Sequence, residues 1–273
     1  MAEIRQIDRR WIFLCVAVAL IVAMLFPFSQ PISPSPSVRA VYDFIEELPP
    51  GSSVLIATDY DPQARAEVVP ITDAILTHLF RHHLRVIGMT FWPEGASLGN
   101  RLFEQAGQSL GKERGADFVY LGYKPGPISQ IITNMGEDIR SAFPRDANNQ
   151  PTAGMPIFRN VSSLRDVCYI IDIAAGSTVD AWIVYGGDKY HIPMAAGCTA
   201  VVGPDLYVYT NTGQLTGIVA GLRGAADYEV LLGSPGSGVR GMPAQSVVHA
   251  IIVLFVLAGN VAYFVRRRRA GNG

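Results

Sequence analysis

The sequence predicts an α/β domain, a Rossmann-like three-layer sandwich with a mostly parallel sheet of about five or six strands, flanked by two transmembrane helices. In the middle of the chain, short and continuously apolar runs alternate with helical stretches, which is typical of parallel strands buried on both faces. Near each end lies an apolar run of about twenty residues with arginines beside it, the pattern of a helix that crosses a bilayer.

The N-terminal apolar run, residues 11–28, follows a short tail that contains Arg5, Arg9 and Arg10. Basic flanks stay on the cytoplasmic side, so we predict a retained signal anchor with residues 1–10 in the cytoplasm. A cleaved signal peptide is the alternative, although the following FSQPISPSPSVRA has no small-x-small cleavage signal and no cysteine for lipid attachment.

The C-terminal apolar run, residues 246–265, ends at four arginines that open the tail 266–273. Residues 1–10 and 266–269 together carry 7 basic and 2 acidic residues, whereas the rest of the chain carries 15 basic and 21 acidic residues. This asymmetry predicts a protein of the cell (inner) membrane with both termini cytoplasmic and the central domain extracytoplasmic. His249 and Asn260 lie inside the second span, and each is predicted to face another helix, either the first span or a separate subunit.

Between the spans we predict a proline-rich spacer with a short helix at 29–50, the α/β domain at 51–232 and a glycine-rich tether at 233–245. Apolar periodicity and the positions of proline and glycine define the elements of the domain. In chain order these are strand 53–58, helix 70–83, strand 85–90, helix 97–111, strand 117–122, helix 128–143, mobile loop 144–156, strand 168–173, helix 178–185, strand 191–195, strand 205–210 and helix 213–228.

The last predicted helix contains a stripe of glycines, in which Gly213, Gly217 and Gly221 recur every four residues and Gly224 follows three later. An interior glycine costs a helix about 1 kcal/mol relative to alanine, and close backbone contact is the usual compensation. We predict that the stripe packs against the chain's own sheet or span, or alternatively against another subunit.

Two cysteines lie in the predicted domain and one, Cys15, in the first span. Cys168 begins one predicted strand and Cys198 lies just past the end of the next. In a parallel sheet these positions are at opposite edges, roughly 15 Å apart at about 3.3 Å per residue, whereas a disulfide needs Cα atoms within about 7 Å. We therefore predict free thiols.

Ligands of open α/β sheets bind outside the carboxyl ends of the strands, where the loops into the helices converge. The predicted loops would form a crevice for a small polar or cationic ligand, although Asp, Ser and Thr there can equally be helix N-caps. The candidate residues are Asp59, Asp61, Glu94, Lys124, Ser177, Thr178 and Thr199.

Asp172 lies inside an apolar strand, where an unpaired carboxylate is costly. We predict that it lies near the end of that strand and is hydrogen-bonded to a neighbouring loop. The sequence indicates no catalytic partner for it.

The sequence contains no complete catalytic or cofactor motif. It lacks a P-loop, GxSxG, HExxH and a GxGxxG in the first strand-to-helix turn, and no cofactor is predicted. His78 and His82 have metal-site spacing without a third ligand, so we predict surface histidines and no metal. Cys198 and His191 are predicted to lie too far apart for a nucleophile and its base. No basic patch with interleaved aromatics is present, so nucleic acid is not an expected partner.

These features predict a non-enzymatic, membrane-anchored protein whose extracytoplasmic domain is a binding or assembly subunit of a larger envelope complex, associated with transport or secretion. Its expected partners are the lipid bilayer and other membrane-protein subunits or a second copy of the chain. The first alternative is a domain that senses or binds a small ligand in the predicted crevice. The second is an envelope hydrolase that uses Cys198 or the Asp59 and Asp61 pair.

Overall fold

The structure, a computed structural model, describes residues 9–25 and 31–270. Most of the predicted tail 1–10, the end of the predicted first span (26–28), the start of the spacer (29–30) and the last three residues lie outside the described residues. The chain divides into two compact units, one of Ile32–Val239 and one of Met1–Pro31 with Arg240–Gly273.

The unit Ile32–Val239 is built on a six-stranded sheet in which all five pairings of named strands are parallel, so the predicted α/β class is confirmed. The strand order is β3-β2-β1-β4-β5-β6. The strands are β1 (Ser53–Asp59), β2 (Arg85–Thr90), β3 (Phe118–Tyr123), β4 (Tyr169–Ala174), β5 (Met194–Cys198) and β6 (Ile218–Ala220).

Ten α-helices lie in the described part of the chain. They are α1 (Arg9–Leu25), α2 (Pro36–Glu46), α3 (Arg65–Arg81), α4 (Ala96–Ser109), α5 (Ile128–Glu137), α6 (Ile139–Ala142), α7 (Thr178–Trp182), α8 (Gly203–Asn211), α9 (Gly221–Leu231) and α10 (Ser237–Ala270). Side chains of α2, α3, α4 and α9 share one apolar cluster on the sheet, and side chains of α5 to α8 share the other. Every residue of β1, β4 and β5 is buried, which explains their continuous apolar sequence.

The predicted boundaries are wrong at two helices. Helix α3 begins at Arg65, so Pro70 lies inside the helix and not at its first position. The predicted helix 128–143 is interrupted at Asp138, whose backbone is extended and whose carboxylate accepts hydrogen bonds from the N–H groups of Arg140 and Ser141. This capping geometry starts a new helix, α6.

The two elements predicted after β5 are also wrong. The segment predicted as strand 205–210 lies in helix α8, because Pro204 at the first turn and Asp205 near the helix N-terminus both favour a helix start. The segment predicted as helix 213–228 contains the three-residue strand β6 and the first part of α9. Among the aromatic and β-branched residues of α8, Tyr207 and Val208 are exposed while Tyr209 and Thr210 are half-buried, so burial did not produce their strand-like pattern.

The four glycines therefore do not form one helical stripe. Gly213 and Gly221 have positive φ angles of 79° and 61°, the former in a turn and the latter at the start of α9. A Cβ on Gly217 would collide with the Ser37 carbonyl oxygen of α2, and one on Gly224 would lie 2.9 Å from the backbone of β6. Close packing against the chain's own elements is thus present at these last two positions, while contact with another subunit stays a prediction.

The compact unit is larger at both ends than the predicted domain 51–232. At the N-terminal end, Val38, Val41 and Ile45 of α2 are buried in the core, so this helix is part of the domain and not of a spacer. At the C-terminal end, α10 begins at Ser237, so most of the predicted tether is helical.

Both ends of this unit are hydrogen-bonded to α9. The N–H group of Ser35 donates to Asp227 Oδ2 at 3.0 Å, and Arg223 donates to the Ser33 carbonyl oxygen at 3.2 Å. The buried Glu229 carboxylate accepts from three N–H groups at the start of α10, at 2.7 to 2.8 Å, which satisfies donors that a helix N-terminus otherwise leaves free. These donors are Gly236, Gly238 and Val239.

One helix in the described part of the chain, Ser237–Val265, is long and apolar enough to cross a membrane. The apolar helix Arg10–Ala23 is shorter, so the predicted pair of transmembrane helices is not confirmed. His249 and Asn260 lie on α10 and are exposed, and their predicted contact with another helix stays a prediction.

Candidate functional site

The order of the strands reverses direction between β1 and β4, since β2 and β3 follow β1 on one side and β5 and β6 follow β4 on the other. In open α/β sheets this switch point is where a crevice forms at the carboxyl ends of the strands. Asp59 is the last residue of β1, and Thr178 opens the helix that follows β4. The two central candidates therefore lie at the position that the sequence predicted.

Asp59 is fully buried and does not face an open crevice. Its Oδ1 accepts hydrogen bonds from Phe91 N at 2.6 Å and from Thr90 Oγ1 at 3.2 Å, and its Oδ2 accepts from Trp182 Nε1 at 3.3 Å. Burial raises the pKa of this carboxyl to about 6, although the three donors oppose the shift. Asp59 thereby joins β1, the end of β2 and α7.

Asp172 is the residue that completes this arrangement. It pairs in register with Ala57, while Asp59 pairs with Ala174, so the two carboxyls are diagonal neighbours on one face of the sheet. Thr178 Oγ1 donates to Asp172 Oδ2 at 2.8 Å, so the carboxylate is hydrogen-bonded as predicted, but to the first residue of helix α7 and not to a loop. Burial and the Asp59 charge raise the pKa of Asp172.

Cys198 is fully buried at the end of β5, on the same face as Asp172. Burial and the Asp172 charge raise the pKa of its thiol to about 12, so the thiol is protonated at neutral pH and is a poor nucleophile. His191 precedes β5 and lies at the opposite end of that strand. Cys168 lies one residue before β4, and both domain cysteines are free.

The remaining predicted residues lie along the same edge of the sheet but do not form one cavity. Asp61 accepts hydrogen bonds from the N–H groups of Gln63 and Ala64 at 2.8 and 3.2 Å, which is the capping role given as the alternative. Glu94 and Ser177 are exposed, and Thr199 is half-buried beyond the end of β5.

A cleft of about 820 Å³ lies at the carboxyl end of β3 and contains Lys124 from the predicted set. Its walls are the segment after β3, the first turn of α4 and the loop that follows α6. Among the residues that line it are Ser97, Asn100, Tyr123, Phe143, Arg145 and Asp146.

The cleft presents two cationic side chains. Lys124 Nζ donates to the Ala142 carbonyl oxygen, and Arg145 donates to the Asn149 carbonyl oxygen at 2.8 Å, so both partners are neutral. The buried Asp146 carboxylate is paired with Arg114 at 2.8 Å and does not neutralise them. Arg145 was not among the predicted site residues, because residues 144–156 were predicted to be a mobile loop. The sequence feature that could have indicated it is a basic residue within this polar segment.

The prediction that His78 and His82 are surface residues is wrong for His78, which is 2% exposed. Its Nδ1 lies 2.7 Å from Tyr228 Oη and its Nε2 lies 2.7 Å from Glu46 Oε1. Burial lowers the pKa of His78, and the Glu46 carboxylate partly opposes this effect. His78 therefore joins α2, α3 and α9. Among the described residues, no group of three potential ligands could hold a metal ion.

No model of a known protein family matches the chain, and no curated protein is similar to it in sequence. Function must therefore be inferred from the buried carboxyl pair, the cleft and the two ends of the compact unit. The buried pair is shielded from solvent, whereas the cleft is open to it, so of these two sites the cleft is the one that could receive a ligand without a change in structure.

Proposed function

We propose that this chain is a non-enzymatic membrane protein whose α/β domain lies outside the cytoplasm and serves as a binding or assembly subunit of a larger envelope complex. The observation that carries this proposal is that both ends of the compact unit are hydrogen-bonded to α9. Helix α9 has 11 residues and is therefore about 16 Å long. The chain thus enters and leaves the unit within about one helix length, which suits two flanking apolar segments that insert into one bilayer.

Two further observations support a binding role over an enzymatic one. The carboxylates at the switch point and the Cys198 thiol are buried, so the position that most often holds catalytic groups in this fold is shielded from substrate. Near α8, by contrast, Val201, Tyr207 and Val208 are exposed, with 83% of Val201 accessible. Exposed apolar groups of this kind favour contact with a partner.

The topology is testable with a membrane-impermeant maleimide on cells from which any outer layer has been removed. We expect Glu94→Cys to be labelled on intact cells, because Glu94 is exposed in the α/β domain. We expect Ala2→Cys and Gly273→Cys to be labelled only after lysis. The unsubstituted chain measures labelling of the three native cysteines. Labelling of Ala2→Cys on intact cells would contradict an N-terminal span, and protection of Glu94→Cys would invert the orientation.

The cleft favours a second function, in which the domain binds a small ligand that carries an anionic group. Its volume of about 820 Å³ lies in the range of small-molecule sites. Lys124 and Arg145 are paired there with carbonyl oxygens, so a carboxylate or phosphate would provide the first opposite charge for either of them.

This second function predicts that citrate or pyrophosphate raises the thermal unfolding midpoint of the full chain in detergent. A ligand at 100 times its dissociation constant stabilises a fold by about 2.7 kcal/mol, or roughly 5 to 10 °C for a domain of this size. The double variant Lys124→Met, Arg145→Met should lose the shift. The control is Arg101→Met, an exposed position of α4 that does not line the cleft. An equal shift in both variants, or none in the unsubstituted chain, would rule out this site.

A further inference from the structure

The carboxyl pair at the switch point has no place in the proposed function, and its geometry is unusual. Asp59 and Asp172 are both fully buried and lie diagonally on adjacent central strands. Asp59 accepts three hydrogen bonds from other residues, but Asp172 accepts only one, on Oδ2. Asp172 Oδ1 is buried and has no donor among the described residues.

We propose that the Asp59–Asp172 pair is a proton-binding site, in which one shared proton holds α7 closed over the switch point and its loss at higher pH loosens that helix. Two ionised carboxylates in this position would repel each other inside an apolar cluster, with one oxygen lacking any donor. A single proton removes the repulsion and becomes the hydrogen bond between the two side chains. It therefore satisfies the oxygen that the rest of the chain leaves unpaired.

The groups that face the pair are neutral. Cys198 faces Asp172 from β5, and burial raises the pKa of its thiol, whereas Tyr60 and Tyr120 lie on the other face of the sheet, where they bond to Thr72 and Thr58. From α7 come Thr178 and Trp182, which do not titrate. No lysine, arginine or histidine forms an ion pair with either carboxyl in the part of the chain that the structure describes. No protein cation therefore replaces the proton.

Helix α7 is the element that responds to the charge of the pair. Its first residue, Thr178, bonds to Asp172, and its last, Trp182, bonds to Asp59, so both ends of the helix are held by the carboxyls. The helix continues directly into a π-helical turn, Ile183–Asp188, a conformation that is common at functional sites. A change in the protonation of the two carboxyls therefore acts on α7, the short helix that covers the switch point.

The direction of the pH dependence follows from the raised pKa values. A carboxyl whose pKa is higher in the folded than in the unfolded protein stabilises the fold at low pH, fully so below its ordinary value near 4. Asp59, with a folded pKa of about 6, ionises first, so the shared proton is lost only as pH rises through the folded pKa of Asp172, which burial and the Asp59 charge raise further. The closed state of α7 is therefore favoured at neutral pH and weakened as pH rises further.

Hydrogen exchange of residues 175–188, followed by mass spectrometry on the full chain in lipid nanodiscs, tests the proposal. After correction for intrinsic rates, we expect exchange at pH 9 to be about tenfold faster than at pH 6.5, the change expected when the closed state is weakened by the equivalent of one pKa unit. In Asp172→Asn, exchange should stay slow at both pH values. The asparagine amide can donate to Asp59 permanently, and its oxygen can still accept from Thr178.

The matched control is Asp73→Asn, because burial also raises the pKa of Asp73 to about 6, yet this residue lies on α3 away from the pair. Asp73→Asn should keep the pH dependence of residues 175–188. A second readout is the infrared band of a protonated carboxyl in Asp73→Asn, which lacks the other carboxyl with a raised pKa; this band should be present at pH 6.5 and should weaken by pH 9. Exchange that is independent of pH in the unsubstituted chain, or unchanged by Asp172→Asn, would overturn the proposal. So would exchange that depends on added Na⁺ or Mg²⁺ and not on pH, because a bound cation would then occupy the site.

Discussion

Replacing Asp59 with alanine is expected to lower the free energy of unfolding by about 3 kcal/mol. The Phe91 N–H and the Trp182 indole N–H would both remain buried without an acceptor, and each unpaired donor costs about 1 to 3 kcal/mol. The cost at Thr90 Oγ1 is smaller, because this hydroxyl keeps its hydrogen bond to the Thr58 carbonyl oxygen at 2.7 Å. The relief of repulsion with Asp172 offsets only part of this loss.

The measurement is thermal unfolding of the full chain in detergent, followed by tryptophan fluorescence. A loss of about 3 kcal/mol corresponds to a midpoint that is roughly 6 to 12 °C lower in a domain of about 200 residues. The matched control is Asp61→Ala in the same loop, where the lost bonds are local and the donors reach solvent. Equal shifts in the two variants would show that Asp59 does not hold α7 and the end of β2 in place.

Gly217→Ala is expected to have an effect of similar size, about 3 kcal/mol, because the added methyl group has no space. It would collide with the Ser37 carbonyl oxygen and would lie 2.8 Å from Val41 Cγ2, both on α2. Overpacking of a well-packed interior typically costs about 1 to 3 kcal/mol, and backbone atoms cannot move aside as a flexible side chain can. Helix α2 would have to shift away from β6, which also lengthens the bonds between Ser37 and Ile218.

Gly213→Ala is the control for this substitution. No atom lies within 4 Å of its added methyl group, but its φ of 79° makes alanine unfavourable by about 1 kcal/mol. The midpoint of thermal unfolding should therefore be much lower for Gly217→Ala than for Gly213→Ala. The midpoint of Gly213→Ala should in turn be lower than that of the unsubstituted chain. If the order is reversed, the backbone strain at Gly213 outweighs the packing of α2 on the sheet.

The apolar strands were predictable because burial on both faces leaves a continuous apolar run. β2 lies at the predicted residues 85–90, and β1, β3 and β4 lie within one residue of their predicted bounds. β5 begins at Met194, three residues later than predicted, because His191 has a positive φ of 56° and Pro193 lacks the N–H group that a central strand needs. β6 was missed, since three residues between glycines carry too little pattern to separate a strand from a helix.

The candidate site was predictable only in part. Asp59, Asp61 and Thr178 were placed at the correct edge, because the ends of apolar strands mark that edge in any parallel sheet. The partnership of Asp59 with Asp172 was not predictable, since it depends on β1 pairing with β4 and on the register Ala57 to Asp172. Likewise, the contact of His78 with Glu46 and Tyr228 depends on the packing of three helices that are distant in sequence.

The sequence alone determined the α/β class, the strands β1 to β4 and a C-terminal helix long enough to span a bilayer, because these follow from local apolar pattern and length. Only the tertiary structure decided which carboxylates meet, where the cleft opens, and that both ends of the domain are held by α9. The physical reason is that hydrogen bonds and close contacts between distant segments depend on strand order and register. Strand order and register are set by the packing of the whole domain, so they produce no periodic pattern in the sequence of any one segment.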